Sequence, residues 1–528
     1  MAVDQISLAR RYHLSDIPKR SAQRFKEKLA IVDGDMALSF TEFYQATERL
    51  AAYFATLHLI AGDRLILLTR NCWQCPVISF AAARLGVVTV PVNFMLNAQE
   101  LSYIVAHSQA KIVCVEDQLT AVFDEACRLS THHVESFHFI NLNAHAPTGV
   151  HWQDLNIFQQ CHAQIPEYDL DASQAIRLMY TSGTESKPKG VLLNSEALMW
   201  QYMSSILEGQ MQSQDREIHA FPLYHCAQLD AFLNVDLYLG ATSYILRGFD
   251  PDTVLKTIET HKINKLFCPP TAWIALLNHP NFERTDLSSL NKAYYGASAM
   301  PQKVISSLLE KLPHIRFWQF YGQTEMAPIA TVLYPEDHIE HAQSVGRPVM
   351  HVQTQIMNED GQLLAAGELG EIVHRSVHLM QGYANDPHKT SEAFAHGWFH
   401  SGDLGYLDQD GYLYVVDRIK DLIKTGGENV ASREVEECLY RLAAIKEVAV
   451  FGVPHPHWIE AITAVYILHE GKTLSHEEII QHCKQYLAQY KIPKYSFSVN
   501  ELPKNASGKI LKRQLRDAYH STASSRTA

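Results

Sequence analysis

The amino-acid sequence predicts an α/β protein: one large N-terminal domain of layered α/β subdomains, followed by a small α+β domain. Three observations carry that expectation. Short β-branched or apolar runs recur between stretches of helical periodicity, the alternation that parallel sheets need. The chain has 528 residues, and at roughly 100 to 200 residues per domain it holds more than one core. Near Asp417, Arg418, Lys420 and Asp421 a Gly- and Tyr-rich stretch (401–412) gives way to a charged segment, the kind of change that separates domains.

Taken in order, residues 41–54 place apolar side chains at three- and four-residue steps, so they predict a surface helix with one buried face, capped by Ser39 or Thr41. Strands are expected at 65–68, 87–90, 112–115, 242–245 and 266–268. The most apolar stretch, 75–96, carries Arg84, Pro76, Pro91 and Asn93. A membrane span wants about 20 mostly uncharged apolar residues, so this is read as a buried helix-strand segment. After the boundary, placed between residues 1–417 and 418–528, residues 434–442 read as a helix and 448–453 as a strand. The Ser/Thr/Ala tail from about His520 is expected to fray.

Hydrophobic residues make up 47% and charged residues 19% of the chain, a composition that folds rather than one that stays disordered. The net charge of −12 disfavours a broad footprint on nucleic acid or an anionic membrane. Small molecules are the expected partners, and a homodimer is the expected assembly. Residues 1–6 lack a basic region followed by an apolar one, so no secretory leader is expected. Nine scattered cysteines suit a reducing compartment, the cytoplasm, better than a disulfide framework. Cys72 and Cys75 have CxxC spacing without a second pair at zinc-site distance, and the 28 histidines form no HExxH motif. Both are read as structural.

The stretch 179–190 reads Met-Tyr-Thr-Ser-Gly-Thr-Glu-Ser-Lys-Pro-Lys-Gly. Its hydroxyls, glycines and two lysines suit a loop that wraps polyphosphate with backbone N–H groups and side-chain donors. It fails the GxxxxGK[ST] template, because no Ser or Thr follows Lys189-Gly190. A Gly/Pro hairpin turn is the plain structural alternative. Four further features follow in order: Phe-Pro-Leu-Tyr-His at 221–225, Tyr-Gly-Gln-Thr-Glu at 321–325, Ser-Gly-Asp at 401–403 with Asp417-Arg418, and Pro-Lys-Asn-Ala-Ser-Gly-Lys at 503–509.

With these motifs the chain resembles, over nearly its whole length, the adenylate-forming superfamily of acyl-CoA synthetases, peptide-synthetase adenylation domains and firefly-type luciferases. The resemblance implies an ATP-dependent acid:CoA ligase that forms an acyl-adenylate and passes the acyl group to coenzyme A, with ATP and CoA as cosubstrates and Mg2+ as cofactor. It assigns Thr181, Ser182, Gly183, Thr184 and Lys189 to the phosphate loop, and Glu325 with Thr184 to magnesium, which needs hard oxygen ligands. Thr324 is assigned to the α-phosphate, Tyr321 and Gly322 to adenine, and Gly296, Ala297 and Ser298 to the segment passing adenine and the acyl site. Asp403 is assigned to the ribose hydroxyls, a task for an acceptor-only side chain, with Arg418 in support.

Lys509 is the implied catalytic group, reaching from a mobile small domain to the charge that accumulates as the acid displaces pyrophosphate. His225 gates the thiol path, Lys420 is the hinge, and Lys424, Gly426 and Gly427 meet coenzyme A after the small domain swings. Tyr224, His225, Tyr295, Gly322 and Ala327 are expected to line an apolar acyl pocket. The family reads Thr-Gly where this chain has Glu185-Ser186, and the Glu185 side chain is expected to point away from the phosphates. That variant resembles one in bacterial fatty-acyl-CoA synthetases, which favours a medium- or long-chain fatty acid. The alternatives are a stand-alone enzyme that loads a carrier protein, a ligase for an aryl or carnitine-like acid, and a non-catalytic nucleotide-binding relative.

Overall fold

The computed structural model describes residues 5–147, 149, 151–181, 187–505 and 508–525. Two large sheets and one small one build the N-terminal part. In the nine-stranded sheet, Thr242–Ile245, Arg216–His219, Lys265–Phe267, Lys292–Gly296 and Arg316–Gly322 lie side by side and parallel, and Ile329–Leu333 follows antiparallel. In the eight-stranded sheet, Arg64–Leu68 lies between Val88–Pro91 and Ile112–Glu116, all parallel. The five strands expected from the sequence are all present within a residue or two. Their continuous apolar runs follow from burial on both faces, as in parallel sheets covered by helices.

The helix Phe40–Thr56 begins at Ser39, whose side chain accepts from the Glu42 amide while Glu42 accepts from the Ser39 amide. Phe43, Leu50, Ala51 and Phe54 form its buried face. The apolar stretch resolves into the fully buried helix Gln74–Arg84 and the strand Val88–Pro91. Buried Arg84 is paired with Glu48 at 3.2 Å, which explains how a charge sits there. Among the described residues no helix is long and apolar enough to cross a membrane.

A four-stranded antiparallel sheet (Val352–Met357, Gly370–Ser376, Phe399–Leu407, Leu413–Arg418) carries the chain as far as Arg418. A 3-10 turn, Ile419–Asp421, leads into a separate five-stranded sheet that opens with Ile423–Thr425. Helices Ser432–Tyr440 and His476–Tyr486 pack on one face of that sheet, and Lys512–Ser525 packs on the other through Leu515. The apolar clusters on the two sides do not mix: those of the large part end at Leu413 and Val415, and those of the small part begin at Ile423. The last helix is described through Ser525, with Leu515 and Tyr519 anchoring its earlier turns.

Candidate active site

In open α/β sheets, ligands gather beyond the carboxyl ends of the strands. The strands Lys292–Gly296 and Arg316–Gly322 pair in parallel up to Gly296 opposite Phe320, and both deliver their motif residues at that end. A side chain at Gly296 would collide with the Phe320 carbonyl oxygen, so only glycine lets the two strands run this close. Beyond Gly322 the chain forms the 3-10 turn Thr324–Met326, with Thr324 and Glu325 buried. The Glu325 carboxylate accepts from the Tyr383 hydroxyl at 3.1 Å. Lys189 lies over the Tyr383 ring at 4.8 Å and, with Arg418, supplies positive charge near Glu325. Burial nonetheless raises the Glu325 carboxyl above its ordinary value, so the site favours a cation beside it.

The small antiparallel sheet supplies a second group. Asp403 and Arg418 are directly opposed in the register of Phe399–Leu407 and Leu413–Arg418. Their side chains approach to 3.7 Å, and the Tyr321 hydroxyl donates to Asp403 at 2.6 Å. Burial raises the Asp403 carboxyl, against the pull of Arg418, the Tyr321 hydrogen bond and Lys509.

Lys509 arrives from the small domain. The turn that carries it is held by hydrogen bonds from the Asn505 amide to the Lys509 carbonyl and from the Lys509 amide to the Asn505 side chain, both 2.9 Å. It docks on the large domain through Gly508, whose carbonyl accepts from the Thr271 hydroxyl at 3.2 Å. Gly508 has φ +81°, and a side chain there would strike Thr271. Burial, and then the charge of Arg418, lower the Lys509 amine to about 8, with Asp421 and Asp403 pulling the other way. On the opposite side His225 is held neutral, its imidazole lowered to about 4 by burial and then by Lys509. The next residue, Cys226, has its thiol 3.4 Å from the Thr324 hydroxyl.

Seven of the expected residues thus converge from both domains: Lys189, His225, Tyr321, Thr324, Glu325, Asp403 and Arg418, with Lys509 facing them. Thr181 and Lys189 pair at the open end of an antiparallel hairpin. Ser182, Gly183, Thr184, Glu185 and Ser186 lie outside the described residues. Ala297 is left-handed, φ +65°, and lines a small cavity with His225. Tyr224 packs edge-on against Phe94, and the Tyr295 hydroxyl turns to Gln319 at 3.1 Å and His338 at 3.0 Å. Lys424, Gly426 and Gly427 form a turn held within the small domain, by Glu460 and Trp458.

Sequence reasoning missed Tyr383, which reaches Glu325 from the sheet edge Gly382–Tyr383, and Asn71. The Asn71 amide donates to Phe221 at 2.9 Å and to Leu246 at 3.0 Å and accepts from the Leu223 amide at 2.9 Å, stapling the segment that carries His225. Neither lies in a stretch whose residue types announce a task. The group Glu217, His219 and Asp236 has the spacing of a metal site. Lys265 fills that role instead, 2.7 Å from Glu217 and paired with Asp236.

Residues 18–384 match the family model of the AMP-binding enzymes, and residues 434–509 match that of the AMP-binding enzyme C-terminal domain. A feruloyl-CoA synthase of Amycolatopsis sp. is 33% identical over 508 residues, covering 96% of this chain and 99% of its own. A long-chain-fatty-acid–CoA ligase of Bacillus subtilis (strain 168) is 32% identical, covering 95% and 94%. The crystal structure of an anthranilate CoA ligase in complex with anthranoyl-AMP superposes with a TM-score of 0.89 at 25% identity, covering 97% and 98%. Both family models match in order, one on each side of the turn at Ile419–Asp421, and the relatives align from end to end: the chain belongs to the AMP-binding enzyme family.

Proposed function

We infer that the protein is an ATP-dependent, AMP-forming acid:CoA ligase. The observation that carries this reading is the meeting of Lys509, from the small domain, with Asp403, Arg418 and His225 of the large one. That arrangement serves the first half-reaction. A carboxylate oxygen of the acid attacks the α-phosphorus of ATP, and pyrophosphate leaves with its bond electrons. Lys509 stabilises the charge that builds on the reacting phosphate and carboxylate. Asp403 holds the ribose hydroxyls, Tyr321 lies along adenine, Thr324 meets the α-phosphate, and Thr181 and Lys189 hold the departing phosphates.

Glu325 fits magnesium: it is buried, accepts a hydrogen bond from the Tyr383 hydroxyl at 3.1 Å, and carries a charge that burial makes costly. It would hold the ion with Thr184, and the bound ion would neutralise phosphate charge. In the second half-reaction the coenzyme A sulfur attacks the acyl carbonyl and AMP leaves. This step is assigned to a rotation of the small domain about the exposed segment at Lys420, which would bring up the turn at Lys424, Gly426 and Gly427 that Glu460 and Trp458 hold within that domain. His225, neutral and beside the cavity, suits a gate on the thiol's path.

The acid is apolar, since the small cavity is lined by Phe221, Pro222, Phe267 and Ala297 with His225 as its only ionisable neighbour among the lining residues. A medium- or long-chain fatty acid stands beside an aromatic acid here, because relatives of nearly equal identity are named for feruloyl and long-chain fatty acyl substrates. Nine free cysteines, seven of them buried, support a reducing compartment.

Release of AMP and pyrophosphate, measured with and without CoA across acids, tests the reading. Acid- and CoA-dependent AMP release is expected. Pyrophosphate release indifferent to CoA would point to a carrier protein as acceptor, and no release with any acid would mark a non-catalytic nucleotide binder.

A further inference from the structure

We propose that Tyr103 and His107 are positioning residues for the adenylation step: through these two side chains one helix fixes both ends of the phosphate loop and the strand edge that presents Tyr383 to Glu325. The inference deepens the ligase reading and rests on it. The helix, Ala98–Ser108, is firmly anchored. Asn97 caps it, its side chain accepting from the Glu100 amide while Glu100 accepts from the Asn97 amide, both at 3.0 Å. Leu101, Ile104 and Val105 bury its apolar stripe in one core with Ile66, Val90 and Val113 of the eight-stranded sheet. Tyr103 and His107 stand one helical turn apart on a shared face, with ring centroids 5.3 Å apart.

Each side chain takes one end of the loop. The Tyr180 hydroxyl donates to His107 Nδ1 at 2.8 Å, immediately before Thr181, where the strand Ala175–Thr181 ends. The Tyr103 hydroxyl donates to the Pro188 carbonyl at 3.2 Å, immediately before Lys189, where the strand Lys189–Asn194 begins. The Lys187 amine lies over the Tyr103 ring, 5.3 Å from its centroid. Thr181 and Lys189 are already paired across the hairpin, which sets the spacing of the two ends. The helix adds their position relative to the rest of the site.

The same helix reaches the strand edge at Tyr383. The Asn385 side chain donates to the His107 carbonyl at 3.1 Å, and the His107 imidazole makes a hydrogen bond with the Ala384 backbone. The Ala384 amide in turn donates to the Gly190 carbonyl at 2.7 Å. Next to Ala384, Tyr383 offers its hydroxyl to Glu325 and its ring to Lys189. The protonation states agree with these roles. Burial pushes the Tyr180 hydroxyl up, so it keeps the proton it donates. Burial, and then the charge of Arg64, lower the His107 imidazole against the Ala384 backbone and Asp386, so a lone pair stays on Nδ1 to accept that proton. Every one of these contacts serves the phosphate side of the site. The first half-reaction uses that side, and the second, from which pyrophosphate has gone, does not.

The test compares the full chain with Tyr103→Phe, His107→Leu and His107→Asn, each checked for folding by its denaturant midpoint. In pyrophosphate formation, His107→Leu should raise the KM for ATP about tenfold or more, the usual cost of freeing a group that orients a binding residue. The KM for the acid, and conversion of supplied acyl-adenylate to thioester, should stay within about twofold. His107→Asn, whose side-chain oxygen can accept from Tyr180, should recover most of the loss, and Tyr103→Phe, which keeps the ring beneath Lys187, should cost about threefold. Equal loss of both half-reactions, or an unaltered KM for ATP in folded His107→Leu, would overturn the proposal. Calorimetric binding of ATP with Mg2+, and of AMP, reads the same role without turnover. His107→Leu should lose about tenfold for ATP and nothing for AMP, which has no phosphate for the loop to hold. That difference upholds the positioning role even if no acid is turned over and the ligase reading fails. Matched losses for both nucleotides refute the role, and a wild type that binds no ATP refutes both.

Discussion

Lys509 shows how a residue's neighbours set its chemistry. A lysine in water keeps its proton well above neutrality, but here burial and Arg418 bring the amine to about 8. The protonated form is the one that stabilises developing negative charge. The kcat/KM for acid-dependent pyrophosphate formation should therefore hold below pH 8 and fall as pH rises through about 8, since this profile reports the free enzyme. A profile flat from pH 7 to 10 would remove Lys509 from the transition state. Lys509→Ala should cut adenylate formation by about 100- to 1,000-fold, while supplied acyl-adenylate is still converted to thioester. Equal loss of both steps, measured by separate stopped assays, would refute that division. Asp403→Ala removes the acceptor between Tyr321 and Arg418, and the expected outcome is a raised KM for ATP with little change in KM for the acid. The places of Lys509 and Asp403 in the candidate site were legible from motif and residue type. Tyr383 was not, because a Gly-Tyr pair carries no chemical signature and its value lies in reaching Glu325.

Among the elements, the strand Lys265–Phe267 and the strand Arg216–His219 share more than hydrogen bonds. Lys265, Glu217 and Asp236 are buried together in the core, with His219 3.4 Å from Asp236. Gln228 joins His219 at 2.8 Å and the Phe221 amide at 3.3 Å, so the charged core runs up to the segment that carries His225. Lys265→Met should destabilise the large domain by about 3 to 5 kcal/mol, the usual cost of leaving buried carboxylates unpaired, seen as a lower denaturant midpoint. A shift under about 1 kcal/mol would mean that the carboxylates find protons or water instead. The strands themselves were readable as apolar runs, because parallel strands are buried on both faces. The charge cluster was not, since Lys, Glu, Asp and His in separate runs look like ordinary polar interruptions.

At the scale of the molecule, the two parts meet through a short turn, the loop docked at Gly508, and polar contacts from the helix Ser432–Tyr440, among them Ser432 to Asp417 and Arg433 to the Val415 carbonyl. Arg418, Ile419 and Lys420 are exposed, and Gly508 docks on Thr271, an arrangement suited to rotation about a few residues. Lys420→Pro locks one φ angle. It should leave adenylation within about threefold while slowing thioester formation about tenfold or more, as hinge changes do when a conformational step limits turnover; rapid-quench measurement of both steps decides it, and unchanged thioester kinetics would place the hinge elsewhere. The sequence by itself determined the strand and helix runs and carried the family's motifs, because periodicity, capping and residue type are local properties. Only the tertiary structure decided that Lys509 faces Asp403 and His225 and that Tyr383 reaches Glu325. Those facts depend on contacts between residues far apart in the chain and on the burial they create together, and no local pattern encodes either.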